Sequence, residues 1–556
     1  MGRTGRFVFM EQVELLFKFA GGVGMFLYGL HIMGEGLQKT AGDKMKKLLG
    51  YLTNNKLLAI LAGAVITSVM QSSSATTVMV VGFVNAGIMS LTQAVGVIMG
   101  ANIGTTVTAW IVSMSELGNL LKPEFFAPLL VGIAAFIVLF AKNDRRRTIG
   151  ELLIGFGLLF VGLSYMSGAI KPFRDAPVFA AVFETLGAHP VLGILAGAAV
   201  TAIIQSSSAS VGILQTLAMN GVVTWKSVVY ITLGQNIGTC VTALLSSTGA
   251  KKNAKRAAVI HLMFNVIGAV LVGMFMFVLF QIKKDWGLLH AGSVDISVFH
   301  TVFNIVNTIV LFPFAGWLVR LSEIIVREDE NEDESNELLP HLDIRMLENP
   351  SLAVEQAERE VLRMGNMAVE QLRRCMDGVL AGNMKKIRKV IETEEVMDQT
   401  AGIISEYLVN LEKLSLTDRQ NEEVSNLFYA VNDLERIGDH CDNIAGMALR
   451  MQEQKLQFSD KAMKGLNRIY TKTIDAVIQA NVAREYRDMN AVKQTFSDEE
   501  KVDELEQELR EGHIKRLSKN QCNAQSGIIY LDILSNMERI ADHAVNLAEY
   551  IENEMG

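Results

Sequence analysis

The chain has 556 residues, 50% hydrophobic and 20% charged, with a formal net charge of −8. That length exceeds one compact domain, and the average conceals a division: residues 1–326 hold 23 Lys+Arg against 13 Asp+Glu, residues 327–556 hold 28 against 46. Cys240, Cys375, Cys441 and Cys522 share no paired spacing, which excludes a disulfide framework or a zinc site of the usual spacing.

In chain order, the opening "MGRTGRFVFM" is read as a short lead, and no signal peptide with a cleavage site is expected. Apolar stretches of helical length then stand near 13–38, 88–112, 125–141, 149–170, 227–249, 259–281 and 298–322. Two further apolar runs, near 57–87 and 190–220, are about 30 residues long and carry a polar knot at their centres. The first knot is Gln71, Ser72, Ser73 and Ser74; the second is Gln205, Ser206, Ser207 and Ser208. This half is written twice. Residues 61–109 and 195–243 align without gaps at 20 identities in 49 positions, and "GANIGTTVTA" answers "GQNIGTCVTA".

The direction of the repeats follows from charge. If each knotted run crossed a membrane once, "KNDRRR" (Lys142 to Arg147) would face outward while the acidic C-terminal half faced inward, against the positive-inside rule. If each run instead dips in and returns, that cluster and "KKNAKR" (Lys251 to Arg256) both lie inside, and the repeats are inverted. The 113–124 and 171–189 stretches are then external loops. A chain that turns inside lipid leaves backbone N–H and C=O groups unpaired, at several kcal/mol each. Such a break is stable only where it lines a polar cavity. Half-helix N-termini suit an anion there, and freed carbonyls and hydroxyls suit sodium. Asn102, Thr105, Asn236 and Thr239, in the repeated Asn-Ile-Gly-Thr, are candidates for the same lining, balanced against plain helix packing. "HLMFN" from His261 and "HTVFN" from His300 are read as an interhelical hydrogen bond, or an interfacial His at a helix end, in preference to a proton or ion relay. "GVG" and "GFG" are not nucleotide loops, because no strand precedes them.

The paired "QSSSATT" and "QSSSAS", with "GANIGTT" and "GQNIGTC", resemble the type II sodium/phosphate cotransporters and their bacterial relatives over about residues 13–326. The resemblance implies that Gln71 to Ser74 and Gln205 to Ser208 bind phosphate and sodium. The second copy departs from the first at Ser210-Val211, where the first has Thr76-Thr77.

After the acidic stretch "REDENEDESNE" (Arg327 to Glu337), helical periodicity is nearly continuous. "DLERIGDHCDNIAGMA" from Asp433 returns as "NMERIADHAVNLAEYI" from Asn536, 103 residues later. Four E-x-x-x-D pairs result: Glu394/Asp398, Glu435/Asp439, Glu499/Asp503 and Glu538/Asp542. An i,i+4 spacing sets both acids on one helix face, where they repel by a few tenths of a kcal/mol and a hard or borderline cation relieves the repulsion. A solvated acidic face is the competing reading. This half resembles the PhoU family, two three-helix bundles whose E-x-x-x-D motifs can hold metal clusters.

The expectation is an all-α polytopic membrane protein with inverted repeats and two re-entrant QSSS hairpins, then a cytoplasmic helical domain of two three-helix repeats. The membrane domain is 1–326 (repeats about 13–141 and 149–281, a final span 298–322), the linker 327–349, and the PhoU-like domain 350–556. Its function would be sodium-coupled phosphate transport across the plasma membrane by alternating access. A phosphate exporter and a non-transporting sensor or scaffold are the alternatives. Na+ is the coupling ion, with a divalent or iron-group metal on the PhoU-like domain. Partners would be inorganic phosphate, the lipid bilayer, and a second copy of the chain or a cytoplasmic regulator; neither a nucleic acid nor an enzymatic reaction is expected.

Overall fold

A computed structural model describes residues 2–50, 55–116, 123–173, 177–327, 342–519 and 521–555. Helices dominate; among the described residues strand pairing is limited to one isolated bridge, Thr224 with His290. The chain divides into two compact units, residues 1–332 with 343–351, and 333–342 with 352–556.

In the first unit, α1 (Gly2–Gly50) leads into α2 (Lys56–Met70), α3 (Ser73–Asn85), α4 (Leu91–Ser113) and α5 (Pro123–Phe140). The second round comprises α6 (Asp144–Ile170), α7 (Pro177–Ala188), α8 (Pro190–Ile204), α9 (Ser207–Met219), α10 (Trp225–Gly238), α11 (Cys240–Ser246) and α12 (Lys252–Ile282). Then come α13 (Lys284–Leu288), α14 (Ser293–Leu311) and α15 (Ala315–Ile325). Among the described residues six helical stretches are long and apolar enough to cross a membrane: Gln12–Thr40, Leu91–Ser113, Arg145–Phe173, Trp225–Ser246, Lys252–Ile282 and Ser293–Ile325. The span expected at 125–141 is a shorter apolar helix. Outward-facing Phe125, Leu139, Phe140, Phe275 and Ile309 are each more than 60% exposed, a surface that water does not favour and lipid does.

The stretch 171–189, expected as a loop, is mostly α7. Its sequence, "PVFAAVFETLGA", is apolar and starts on a proline, which suits a helix's first turn. Residues 181–188 and α8 meet at a bend of 113°. Of the other expected external loop, 117–122 lie outside the described residues.

Small residues bring the helices close, and they do so twice. A Cβ on Gly100 would sit 1.9 Å from the Ile60 carbonyl oxygen, and one on Gly234 would sit 2.0 Å from that of Ile194. These pairs, α2 on α4 and α8 on α10, are related by the 134-residue shift of the sequence repeat. The first helices of the two repeats, α1 and α6, pack directly on each other around Phe26, Leu30, Met33, Leu159, Phe160, Leu163 and Met166. Gly22 approaches Gly162 while Gly29 approaches Gly155, so the two helices run antiparallel.

The second unit holds α16 (Pro350–Ala381), α17 (Met384–Glu412) and α18 (Asp418–Glu453), then α19 (Asp460–Tyr486), α20 (Met489–Leu517) and α21 (Ala524–Met555). Asn383, Thr417, Ser459 and Asp488 cap four of these helices with side-chain oxygens on first-turn N–H groups, which satisfies otherwise orphaned donors. Each half is three helices with a buried aliphatic face, such as Val424, Leu427, Val431, Leu434 and Ile437 on α18.

Most of the acidic stretch, 328–341, lies outside the described residues. The end of the expected linker carries its own structure: Ile344–Glu348 form a 3-10 turn, capped by the Asp343 carboxylate on the Arg345 N–H.

Candidate functional site: two broken helices and two acidic trios

Both knots break their helices at the glutamine. Gln71 closes α2 in the left-handed region, φ 54°, and Gln205 closes α8 at φ 57°. Their backbone N–H groups donate to Thr67 and Thr201 carbonyls at 2.8 and 2.7 Å. Ser72 and Ser206 are then extended, and each side chain accepts from the N–H three residues on, Ala75 at 3.1 Å and Ala209 at 3.2 Å. So α3 and α9 start afresh as properly capped helices. Beneath each break a hydroxyl pair ties the two arms together, Thr67 to Thr76 at 3.0 Å and Thr201 to Ser210 at 2.9 Å.

The two breaks come together. Ser73 Oγ lies 3.2 Å from Ser207 Oγ, and Ser74 Oγ donates to the Gln205 carbonyl at 3.4 Å. Residues equivalent under the repeat therefore touch each other, as they do near a two-fold axis. Here the N-terminal ends of α3 and α9, with their positive dipole ends, gather beside the C-terminal carbonyls of α2 and α8. That arrangement offers donors to an anion and oxygens to a hard cation within one small volume.

The symmetry is incomplete. Gln71 is buried; its amide donates to the Ser68 carbonyl and its oxygen accepts from Thr108 Oγ1 at 2.9 Å. Gln205 is exposed. Ser208 Oγ donates to the same Thr108 hydroxyl at 3.3 Å, so Thr108 joins both knots. Sequence reasoning missed Thr108, although the repeated "VTA" at Thr108 and Thr242 carried the signal.

Asn102, Thr105, Asn236 and Thr239 are buried, and each donates to a carbonyl four residues back on its own helix. Asn236 Oδ1 also lies 3.4 Å from His300 Nε2, an interhelical contact. Neither ring nitrogen of buried His261 finds a partner among the described residues. A third polar knot escaped the sequence reading: the buried Gln215 amide nitrogen lies 2.9–3.2 Å from Ala109 O, Ser113 Oγ, Ser293 O and Ser297 Oγ.

In the second unit the acids meet in trios. Oxygen atoms of Glu394, Asp398 and Asp439 lie within 4.8 Å of one another, as do those of Glu499, Asp503 and Asp542. Glu435 and Glu538 stand outside these trios, yet burial and then the trios' aspartates raise their carboxyls above the ordinary range. Burial and then neighbouring Asp398, through its hydrogen bond and charge, push the Glu394 carboxyl up to about 7. Glu499 and Asp503 are raised in the same sense, by burial first and then by neighbouring carboxylates. Crowded carboxylates holding protons are what an oxygen-ligated cation would relieve. Arg436 offsets part of the first trio's charge through a 3.0 Å contact with Asp439.

Comparison with known proteins agrees with both halves. The Na+/Pi-cotransporter family model matches residues 25–168 and 176–300, and the PhoU domain model matches 361–448 and 466–551. The chain is 26% identical over 520 residues, 93% of its length and 94% of the relative's, to "Putative inorganic phosphate export protein YjbB" of Salmonella typhimurium. It is 28% identical over 202 residues, 35% of its length, to "Phosphate-specific transport system accessory protein PhoU homolog 1" of Thermotoga maritima, covering 84% of that protein. Over 119 residues, 21% of its length, it is 30% identical to human "Sodium-dependent phosphate transport protein 2B", covering 17% of that protein. A membrane half matched over both sequence repeats and a helical half matched over both of its own lead to one conclusion: the chain belongs to the Na+/Pi-cotransporter family and carries a C-terminal PhoU domain.

Proposed function

We propose that the chain is a sodium-coupled inorganic phosphate transporter of the plasma membrane, with a cytoplasmic PhoU domain that regulates it. The observation that carries this reading is the meeting of the two broken helices at Ser73 and Ser207. Phosphate would bind at the N-terminal ends of α3 and α9, through Ser72 to Ser74 and Ser206 to Ser208. Sodium would sit among hydroxyls and the carbonyls freed near Gln71 and Gln205, with Asn102, Thr105, Asn236 and Thr239 as further lining. The cation lowers the cost of dehydrating the anion.

The antiparallel packing of α1 on α6 supports inverted repeats, since these are the equivalent first helices. With inverted repeats, the α2–α3 and α8–α9 pairs are re-entrant hairpins, and access alternates as one helix group moves against the other. Residues 1–326 are the transport domain and 350–556 the regulatory one. The acidic trios, with Glu435 and Glu538 beside them, would hold divalent or iron-group metal through carboxylate oxygens.

A relative named for phosphate export matches 93% of this chain, which favours export as the net direction in a cell. Labelled phosphate in proteoliposomes tests both levels. Flux in either direction that rises with a sodium gradient supports the reading; flux indifferent to sodium refutes the coupling, and no flux in inserted protein refutes transport.

A further inference from the structure

The segment just before α16 does not behave as a spacer within its own compact unit. Asp343 is 5% exposed, and its Oδ2 accepts from Asn85 Nδ2 at 2.9 Å at the far end of α3. Arg345 Nη1 holds the same carboxylate oxygen at 2.7 Å, while its Nε donates to the Ser246 carbonyl at the end of α11, at 2.6 Å. Met346 is fully buried and Asn349 is 1% exposed. Asn349 Nδ2 reaches within 4.0 Å of the Met70 sulfur, next in sequence to Gln71. These seven residues thus lie against α3, from its last turn toward the break.

The helix is shaped for this segment. A Cβ placed on Gly82, in the last turn of α3, would meet three atoms first: Met346 Cε at 2.7 Å, Arg345 Cβ at 3.4 Å and Asp343 Cγ at 3.6 Å. All belong to the segment. A glycine inside a helix weakens it, so the missing side chain is explained by what lies against it.

We propose that residues 343–349 are a removable plug: docked along α3 they close one route to the first QSSS break, and they leave when phosphate passes. Asp343, Arg345 and Asn349 tie the plug down by a few polar contacts, which can be exchanged for water without exposing a large apolar core. Pro350, the first residue of α16, follows Asn349 directly in the chain. Regulation would be a covalent pull on the docked segment. The gate rests on the transport reading above.

Two readouts test it in a full-length, Cys-free background. The first is maleimide labelling of a Met70→Cys reporter, which needs no transport. Met346→Glu and Gly82→Leu attack the contact from opposite sides, and each should raise labelling about tenfold, as a larger open population requires. The second is phosphate flux. Gly82→Cys with Arg345→Cys brings two Cβ atoms to about 3.4 Å, close to disulfide geometry. Oxidised, this variant should lose most of its flux, and dithiothreitol should restore it; Arg345→Cys alone should respond to neither. Flux that is the same locked and reduced, in a chain whose wild type transports, overturns the gate alone. Labelling unchanged in both attack variants overturns the docking. Labelling that rises while no form of the chain carries phosphate overturns the transport reading, and the gate with it.

Discussion

Asp433 Oδ1 accepts a hydrogen bond from His543 Nδ1 at 2.7 Å, and the residues 103 positions away from each, Asn536 and His440, meet at 2.8 Å. The sequence repeat is therefore crossed in space: each half's Asp/Asn position binds the other half's histidine, and the two imidazoles lie 5.6 Å apart between α18 and α21. One crossing is a carboxylate and the other an amide, so the pseudo-symmetric interface has a charged end and a neutral one.

Asp433 is 4% exposed and also accepts from Asn546 Nδ2 at 3.1 Å and Tyr550 Oη at 2.7 Å. Burial, then this carboxylate, raises the Tyr550 phenol above its ordinary range. Asp433→Asn turns part of an acceptor toward three donors. Urea unfolding of a 352–556 fragment should show a loss of about 2–5 kcal/mol, as for a buried hydrogen-bonded charge that loses its partner. Asn536→Asp should cost less and should raise the His440 pKa, now lowered chiefly by burial, as an NMR titration would show.

The first acidic trio sets a pH dependence of definite sign. With Glu394 raised to about 7 when folded against 4.5 otherwise, the folded state alone holds this proton between those values. Its contribution to stability is present below pH 4.5 and lost as pH rises through about 7. His440, lowered by burial, acts in the opposite sense, losing stability as pH falls below its ordinary 6.5. In chelator, Glu394→Gln should therefore flatten the fall in melting temperature between about pH 5 and about pH 8. Adding a divalent metal at the upper pH should raise the melting temperature of the wild-type fragment and not that of the variant. Equal metal responses would leave a solvated acidic face.

The inequality of the two glutamines gives a separable pair of effects. Gln71→Ala removes the acceptor of buried Thr108, at about 1–3 kcal/mol, and should lower both melting temperature and phosphate affinity. In affinity that is roughly five- to 150-fold. Gln205→Ala alters an exposed side chain and should spare the melting temperature while lowering flux. Thr108→Val should resemble Gln71→Ala, because one hydroxyl serves both knots. Normal flux in Gln205→Ala would confine the glutamine contribution to the first repeat.

Close helix contact predicts a stricter result. Gly100→Ala and Gly234→Ala each place a Cβ about 2 Å from a backbone carbonyl oxygen, a clash that no rotamer relieves. Both should abolish recovery of monodisperse protein in detergent size-exclusion chromatography. Gly21→Ala, with nothing within 4 Å of its Cβ, should behave as wild type.

Much of this could be read in advance because the chain states its main features twice. The QSSS knots, the shift of 134 residues and the paired E-x-x-x-D acids are local, repeated patterns, and local patterns survive translation into one dimension. What depended on distant partners did not survive. The repeat of Thr108 at Thr242 marks the position, but its contact with both knots shows only when α4 is laid against the two breaks. Gln215 gathers oxygens from α4 and α14, which only packing brings together. Residues 171–189 read as a loop because charge placed them outside, while their apolar composition favoured the helix that forms. Residues 343–349 were grouped with their acidic neighbours, and the reason for Gly82 was invisible because its partner lies more than 260 positions away.

The contact between Ser73 and Ser207 has a consequence for how the two halves can diverge. A half-length chain with one such serine would meet it only by pairing with a second, identical copy, and any substitution would then strike both sides of the contact at once. Joined in one chain, the two positions mutate independently, and a change on one side is tested against an unchanged partner. The halves show the results of that freedom: Thr76-Thr77 faces Ser210-Val211, and a buried glutamine faces an exposed one. Duplication within a single polypeptide makes it possible for a symmetric cradle to hold two unlike ligands, an anion and its counter-ion, where a strict homodimer would have to offer the same groups to both.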